Sequence, residues 1–238
     1  MSYIIGSGWW SDVDEKYAQS EVNIFEFSKL WWKNIQEITN PEKIFIVDSN
    51  SPVKPAYWNE ENIERISMLA NWGGPKYGRN APGKFEVRFA YGLNSMFHMD
   101  LIGCTRALYL QAFYALFNDV DHFVWVEQDC LLKGKNIIEK AIDNMGDADF
   151  SSNFLPDGSM ESGLLVFNCK SILKIFNCFI IAKGISSEEK YASLSKTMNW
   201  KPFPFPGHRN ITNIAEHEFI FKQKLLKEDI KYFVGETD

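Results

Sequence analysis

Two short apolar runs, Tyr3-Ile4-Ile5 and Ile44-Phe45-Ile46-Val47, bracket a segment of helical period near the start of the chain. This order constrains the fold more than any other feature. Between residues 23 and 38 the apolar positions Ile24, Phe25, Phe27, Leu30, Trp31 and Ile35 recur at helical spacing, and Pro41 closes the segment. The second run ends in Asp48-Ser49-Asn50, which is good turn chemistry. A strand, a helix and a strand in succession form a βαβ unit, so a mostly parallel sheet is expected.

Further elements follow from the same patterns. Gly6-Ser7-Gly8 reads as a flexible loop after the first strand, and Ile66-Ser67-Met68-Leu69 as a third strand. Asn71-Trp72-Gly73-Gly74-Pro75 and Gly78-Arg79-Asn80-Ala81-Pro82-Gly83 are loop-like and placed to flank a site. Helical spacing returns over residues 103–117, 137–145 and 171–181, with strands at Phe150 and at Leu164-Leu165-Val166-Phe167. Pro202, Pro204 and Pro206 make residues 200–209 a loop. A helix is expected over residues 213–227, and a last edge strand at Tyr232-Phe233-Val234. No repeat or linker interrupts residues 1–238, so a single domain is expected.

The run Phe123-Val124-Trp125-Val126 reads as a buried strand and ends in Glu127-Gln128-Asp129, followed at once by Cys130-Leu131-Leu132. Unpaired carboxylates inside an apolar strand are very costly. The two acids therefore belong at its C-terminal end, where open α/β sheets bind ligands. Carboxylates there suit a hard divalent cation, which in turn holds phosphates. Other acid-x-acid pairs (Asp12/Asp14, Asp119/Asp121, Asp147/Asp149, Glu216/Glu218, Glu236/Asp238) lie in polar or helical settings that solvated surface explains. Only Glu127/Asp129 caps a β-branched and aromatic run, and its two readings are a metal-bound diphosphate site and a strand-end turn.

Composition narrows the class. With 45% hydrophobic and 24% charged residues the chain is an ordinary soluble globular protein with a substantial core. A net charge of −6 gives no support to a nucleic-acid-binding surface, which would be basic. Aromatic content of 15%, including eight Trp, supplies faces that stack on sugars and bases as well as filling a core. Four cysteines (Cys104, Cys130, Cys169, Cys178) lie in apolar segments without zinc-ligand spacing, as buried thiols in a reducing compartment do. The first residues lack a signal peptide's basic and apolar regions, and no run reaches the roughly 20 apolar residues of a membrane span. A cytoplasmic location without a transmembrane segment is expected.

The order of these pieces resembles the GT-A class of nucleotide-diphospho-sugar glycosyltransferases. The resemblance is carried by residues 44–48, Arg106 before the motif strand, residues 124–129, the stretch Met160-Glu161-Ser162-Gly163 entering an apolar strand, and a late His208. It implies an α/β/α sandwich around a mostly parallel sheet, and metal-dependent transfer of a sugar to a hydroxyl acceptor such as a glycan. The expected donor is a nucleotide diphosphate sugar, most simply a UDP-sugar. In that class an acidic DxD motif binds Mn²⁺ or Mg²⁺; here its first position is Glu. Asp129 would contact the metal, and Glu127 the ribose or a metal-bound water.

The resemblance also places further residues. Asp48 would accept from a uracil N3–H or ribose hydroxyls, or it is a turn residue. Ile5 and Gly6 would approach the base through backbone atoms. Arg106 would pair with the donor phosphate or a motif carboxylate, or lie on the surface. Ser162 and Gly163 would leave room for a hexose whose hydroxyls Glu161 bonds, unless Glu161 simply opens a hairpin. His208 would complete the metal shell, or Arg209 beside it would clamp the diphosphate. Glu216 or Glu218 would serve as general base in an inverting enzyme, against the plainer reading of acids in a first helical turn.

Two rivals remain at this point. A sugar-phosphate nucleotidyltransferase uses a related fold, but Gly6-Ser7-Gly8-Trp9-Trp10 lacks the basic residues that hold a triphosphate. A catalytically silent nucleotide- or glycan-binding protein fits the abundant Trp equally well.

Overall fold

The first strand, β1 (Tyr3–Trp9), is longer than its apolar run and continues through Gly6-Ser7-Gly8. These glycines are not a flexible loop: they let a helix come close. A Cβ on Gly6 would fall 1.9 Å from Gln111 Oε1, and one on Gly8 would fall 3.0 Å from Ala107 Cβ. Both neighbours belong to α3 (Gly103–Phe117), which packs on β1. The structure is a computed structural model describing residues 1–9, 22–49, 51–60, 63–67, 103–155, 158–181 and 187–234. The expected loops over residues 71–75 and 78–83 lie outside the described residues.

Helix α1 (Ile24–Ile38) starts where the Asn23 side chain accepts from Phe25 N at 2.8 Å. Its stripe of Ile24, Phe27, Trp31 and Ile35 is buried. Strand β2 (Lys43–Asp48) returns parallel to β1 and completes the βαβ unit. After the short α2 (Tyr57–Glu60), β3 (Glu64–Ser67) pairs parallel to β2 as a sparsely buried edge, slightly earlier than the apolar run suggests.

Helix α3 leads into β4 (His122–Val126), which pairs parallel to β1 on the side opposite β2. The chain then forms β5 (Cys130–Lys133), α4 (Ile137–Met145), β6 (Phe150–Ser151), β7 (Leu164–Asn168), α5 (Ile172–Ile181), α6 (Ser187–Thr197) and β8 (Trp200–Lys201). The main sheet has seven strands in the order β3-β2-β1-β4-β7-β6-β8. Within it β7 alone runs antiparallel to its neighbours.

Period-two alternation divides the core between two faces. Ile5, Ile46, Val124, Val126, Leu164 and Val166 meet α1, α4 and β5 on one face. Ile4, Phe45, Val47, Phe123, Trp125, Leu165 and Phe167 meet α3, α5 and α6 on the other. This is the expected α/β/α sandwich. Among the described residues no helix is long and apolar enough to cross a membrane.

The C-terminal region departs from expectation. In place of a helix over residues 213–227 there is a 3₁₀ turn at Ile214–Glu216, a strand β9 (Ile220–Gln223), and a second 3₁₀ segment at Lys227–Tyr232. The second 3₁₀ segment takes in Tyr232, and Phe233 and Val234 form a turn and bend, so the expected edge strand at 232–234 is absent. The reason lies in Phe219-Ile220-Phe221, whose apolar side chains are consecutive rather than spaced along one helical stripe. All four β9 residues are buried, and the strand pairs antiparallel with β5 in a separate two-stranded ribbon. Long-range pairing outweighs local helical preference here.

Candidate active site

From β1 the chain moves outward to β2 and β3, then returns to the other flank of β1 as β4. Ligands bind α/β sheets beside such a reversal, at the carboxyl ends of the strands. Asp48 ends β2 and Glu127 follows the last residue of β4, so both acids stand at that edge. They flank β1 and are two strand spacings apart, roughly 10 Å.

The motif is the turn that hands the chain from the main sheet to the ribbon. Glu127 N donates to Gly163 O at 3.0 Å, extending the β4–β7 ladder by one bond. Cys130 N donates back to Glu127 O at 3.0 Å, and β5 departs. The register sets Cys130 opposite Gln223. From there the Gln223 Nε2 donates to Asp129 Oδ1 at 3.0 Å and also to Glu127 Oε2. Burial first, and then the charge of Asp129, push the Glu127 carboxyl up to about 8, against a lowering hydrogen bond from Ser162. Burial likewise raises Asp129, opposed by Gln223 and by the Lys224 charge. Glu161 adds to the repulsion on both.

Glu161 and Ser162 are buried beside this turn. Glu161 Oε2 accepts from Arg209 N at 3.0 Å and from Arg209 Nε at 3.4 Å, while Oε1 accepts from Gly163 N at 3.4 Å. Asn153 Nδ2 donates to Phe205 O at 3.1 Å and Gly207 O at 3.3 Å, and the buried Lys222 Nζ donates to Ile211 O at 2.7 Å. The proline-rich loop is thereby fastened against the site at three points. His208 sits on it, half-buried, with Nδ1 accepting from Asn210 N at 3.1 Å. In the neutral ring that bond leaves the proton on Nε2, so as placed His208 offers no lone pair to a metal.

The donor set fits a phosphate-bound cation better than a closed metal site. Among the described residues no group of three or more His, Cys, Asp or Glu converges to hold an ion. Two hard, crowded carboxylates remain, each pushed up chiefly by burial. Mg²⁺ and similar ions are commonly held by one or two carboxylates with water and substrate phosphates supplying the rest.

No sequence-family profile matches the chain, and no curated protein sequence does. Solved structures do match. The mannosyltransferase PcManGT from Pyrobaculum calidifontis, in complex with GDP-Man and Mn²⁺, superposes with a TM-score of 0.54 at 10% identity, over 84% of this chain and 54% of that one. The Q189E active-site mutant of LgtC superposes with a TM-score of 0.50 at 12% identity, over 92% and 86%. The chain has the GT-A fold. It spans about half the length of PcManGT, and 45% of the glycosyltransferase GlyE of Streptococcus pneumoniae TIGR4 (TM-score 0.48, 10% identity).

Against the GT-A frame the expected residues separate. Glu127, Asp129, Glu161, Ser162, Gly163 and Arg209 come together. Ile5 lies in the interior of β1, and the space beside Gly6 is taken by Gln111, so helix packing explains the glycine. Asp48 is fully buried: Oδ1 accepts from Ser51 N at 3.0 Å and Oδ2 lies 3.3 Å from Lys54 Nζ. It makes the turn its sequence context suggests while standing at the ligand edge. Arg106 lies in the first turn of α3, next to Ala107 over Gly8, which places its backbone at the same edge; its side chain lies outside the described residues.

Glu216 and Glu218 are not brought to the motif. No α-helix begins there, only the 3₁₀ turn Ile214–Glu216, so the explanation by the dipole of a long helix fails with it. Glu216 is exposed and accepts from Asn213 Nδ2 at 3.1 Å. Glu218 is exposed just before β9, at the end where Ile220 pairs with Lys133, while the motif lies at the opposite end.

Sequence reasoning misses three residues that tie the motif and its ribbon together. Gln223 reaches both motif acids although 96 residues separate it from Glu127. Lys224 follows it with φ of +55°, a left-handed conformation rare for a side-chain-bearing residue, and donates its N–H to Asp129 O at 3.3 Å. Asn34 lies on the buried face of α1, where Nδ2 donates to Leu132 O at 2.8 Å and Oδ1 accepts from Leu132 N at 2.9 Å. That side-chain amide serves the open edge of β5 as a strand would. A polar residue inside an apolar helical stripe is the signal that could have revealed it.

Proposed function

We propose that the protein is a glycosyltransferase that moves a sugar from a nucleotide diphosphate donor to a hydroxyl acceptor, aided by Mg²⁺ or Mn²⁺. The observation that carries this reading is the Glu127/Asp129 pair at the switch point of a GT-A sheet, with Ser162 and Gly163 against it. A GT-A neighbour described in complex with GDP-Man and Mn²⁺ supports the choice of ligand class. Asp129, with Glu127, would hold the cation, which supplies charge stabilisation for the departing nucleoside diphosphate. Gly163 lets Gln223 and Cys130 pack against the motif, and Ser162 orients Glu127 through its hydrogen bond. Glu161 holds Arg209 at the rim, where a guanidinium can meet a phosphate. Asp48 and the end of β1 would receive the nucleoside, with UDP as the first donor to try. The whole chain is proposed to act as one domain, in the cytoplasm that its free thiols suit.

The test is a thermal-shift series of nucleotide diphosphates and nucleotide sugars with Mn²⁺, Mg²⁺ or EDTA. A ligand that binds only the folded state raises the melting temperature. Stabilisation by one nucleotide family that disappears with EDTA, and in Asp129→Ala, is expected, followed by sugar transfer on a glycan array. Metal-independent binding, or full transfer by Asp129→Ala, would sink the mechanism. Binding without transfer or donor hydrolysis would make the protein a nucleotide-sugar binder.

A further inference from the structure

Gln223 is buried at the motif with only half of its amide satisfied. Nε2 donates to both motif carboxylates, whereas Oε1 is buried without a hydrogen-bond partner. The residue is 5% exposed, so bulk water does not reach the amide. Space for it is created from the opposite strand. A Cβ on Gly163 would lie 3.2 Å from Gln223 Cβ and 3.4 Å from Cys130 Sγ. The pairing of Cys130 with Gln223 fixes its height against the turn.

This arrangement has a chemical direction. Two neighbouring carboxyl groups without a cation need a donor, and an amide nitrogen provides one without adding charge. A cation between the carboxylates needs oxygen instead, and it repels an N–H. Rotation of the terminal amide exchanges Nε2 for Oε1 in the same place, without movement of the backbone. We propose that Gln223 is an exchangeable partner of the acidic motif, its N–H bridging Glu127 and Asp129 without metal and its Oε1 facing the cation when one is bound. The inference rests on the cation reading given above and adds a neutral oxygen donor to it.

The experiment is titration of the full chain with Mn²⁺ alone, without nucleotide, following free Mn²⁺ by electron paramagnetic resonance. Wild type, Asp129→Ala, Gln223→Leu and Gln223→Glu are compared, each checked by circular dichroism and melting in EDTA. Groups that support a metal typically change affinity 10- to 100-fold when lost, so Gln223→Leu is expected to bind Mn²⁺ at least about tenfold more weakly. Gln223→Glu, which keeps an oxygen and adds charge, is expected to bind at least as tightly as wild type. Equal or tighter binding by Gln223→Leu overturns the proposal, since the amide would then be inert or a competitor. Should Gln223→Leu fail to fold, Gln223→Glu decides, and weaker binding than wild type overturns the idea. If wild type binds but Asp129→Ala does not, the cation reading stands whatever Gln223 does. If wild type binds Mn²⁺ neither alone nor with a nucleoside diphosphate added, both fall together; if it binds only with the diphosphate, the four variants are compared under that condition and the same outcomes decide.

Discussion

Replacing Lys222 by Met tests whether the loop beside the motif is held by a buried charge. Lys222 is 4% exposed, and its ammonium donates to Ile211 O at 2.7 Å and pairs with Asp229 Oδ2 at 2.9 Å. Methionine keeps most of the apolar stem but leaves Ile211 O without this donor and Asp229 with a net charge in a largely buried place. Asp229 Oδ2 would retain Leu226 N at 3.0 Å, so it would not be stranded entirely. Breaking a buried pair from one side costs about 3–5 kcal/mol, and the surviving bond argues for the lower end, about 3 kcal/mol. In a chain of this size that is roughly 6–12 °C of melting temperature. Urea denaturation monitored by Trp fluorescence measures the loss directly. Lys222→Met/Asp229→Asn, which removes the residual charge, is expected to recover about 2 kcal/mol of it. A Lys222→Met cost below about 1 kcal/mol, or a double mutant equal to the sum of the singles, would refute the argument.

Other expectations concern separate parts of the molecule. Burial raises the Asp149 carboxyl, but Lys174, Ser171 and the Asn199 N–H outweigh it and hold the group below the usual range. Its stabilisation is therefore present above the unfolded-state pKa and is lost as pH falls through the folded-state value. Asp149→Asn should cost about 2 kcal/mol at pH 7, and the gap from wild type in urea midpoint should close as the solution is acidified; a gap independent of pH would contradict this. Gly207→Ala places a Cβ 2.0 Å from Phe221 Cδ1 inside the core, so a loss of about 2–3 kcal/mol is expected. Phe221→Leu in the same chain should return part of it, and strict additivity in calorimetry would count against the clash.

The main sheet was legible because its strands are contiguous apolar runs and its helices carry regular stripes. Those signals reside within ten or fifteen neighbouring residues. The acids of the motif were legible for the complementary reason, since carboxylates at the end of Phe123-Val124-Trp125-Val126 have few acceptable places to go. What failed was information that exists only between distant segments. Nothing local announces that Ile220–Gln223 pairs with Cys130–Lys133, so a stretch rich in Leu, Lys and Glu read as a helix. With that helix went the setting imagined for Glu216 and Glu218. Gln223 was invisible for a further reason: a neutral amide in a polar-looking stretch raises no alarm until its neighbours are known. The glycines of β1 look like freedom in the sequence and are clearance for Gln111 and Ala107 in the fold.

The ribbon of β5 and β9 lies outside the hydrogen-bond ladder of the main sheet, and therefore keeps its own register. A slip of one position would set Lys222 or Lys224 opposite Cys130 in place of Gln223, and would reverse which face each side chain occupies. Either lysine would bring a permanent positive charge toward Glu127 and Asp129 and occupy the role of a cation itself. Insertions and deletions in this protein should thus be judged by where they fall. One residue gained in the exposed stretch before β9 is a change of loop length, whereas one gained within its four residues closes the motif acids into an internal ion pair with a lysine.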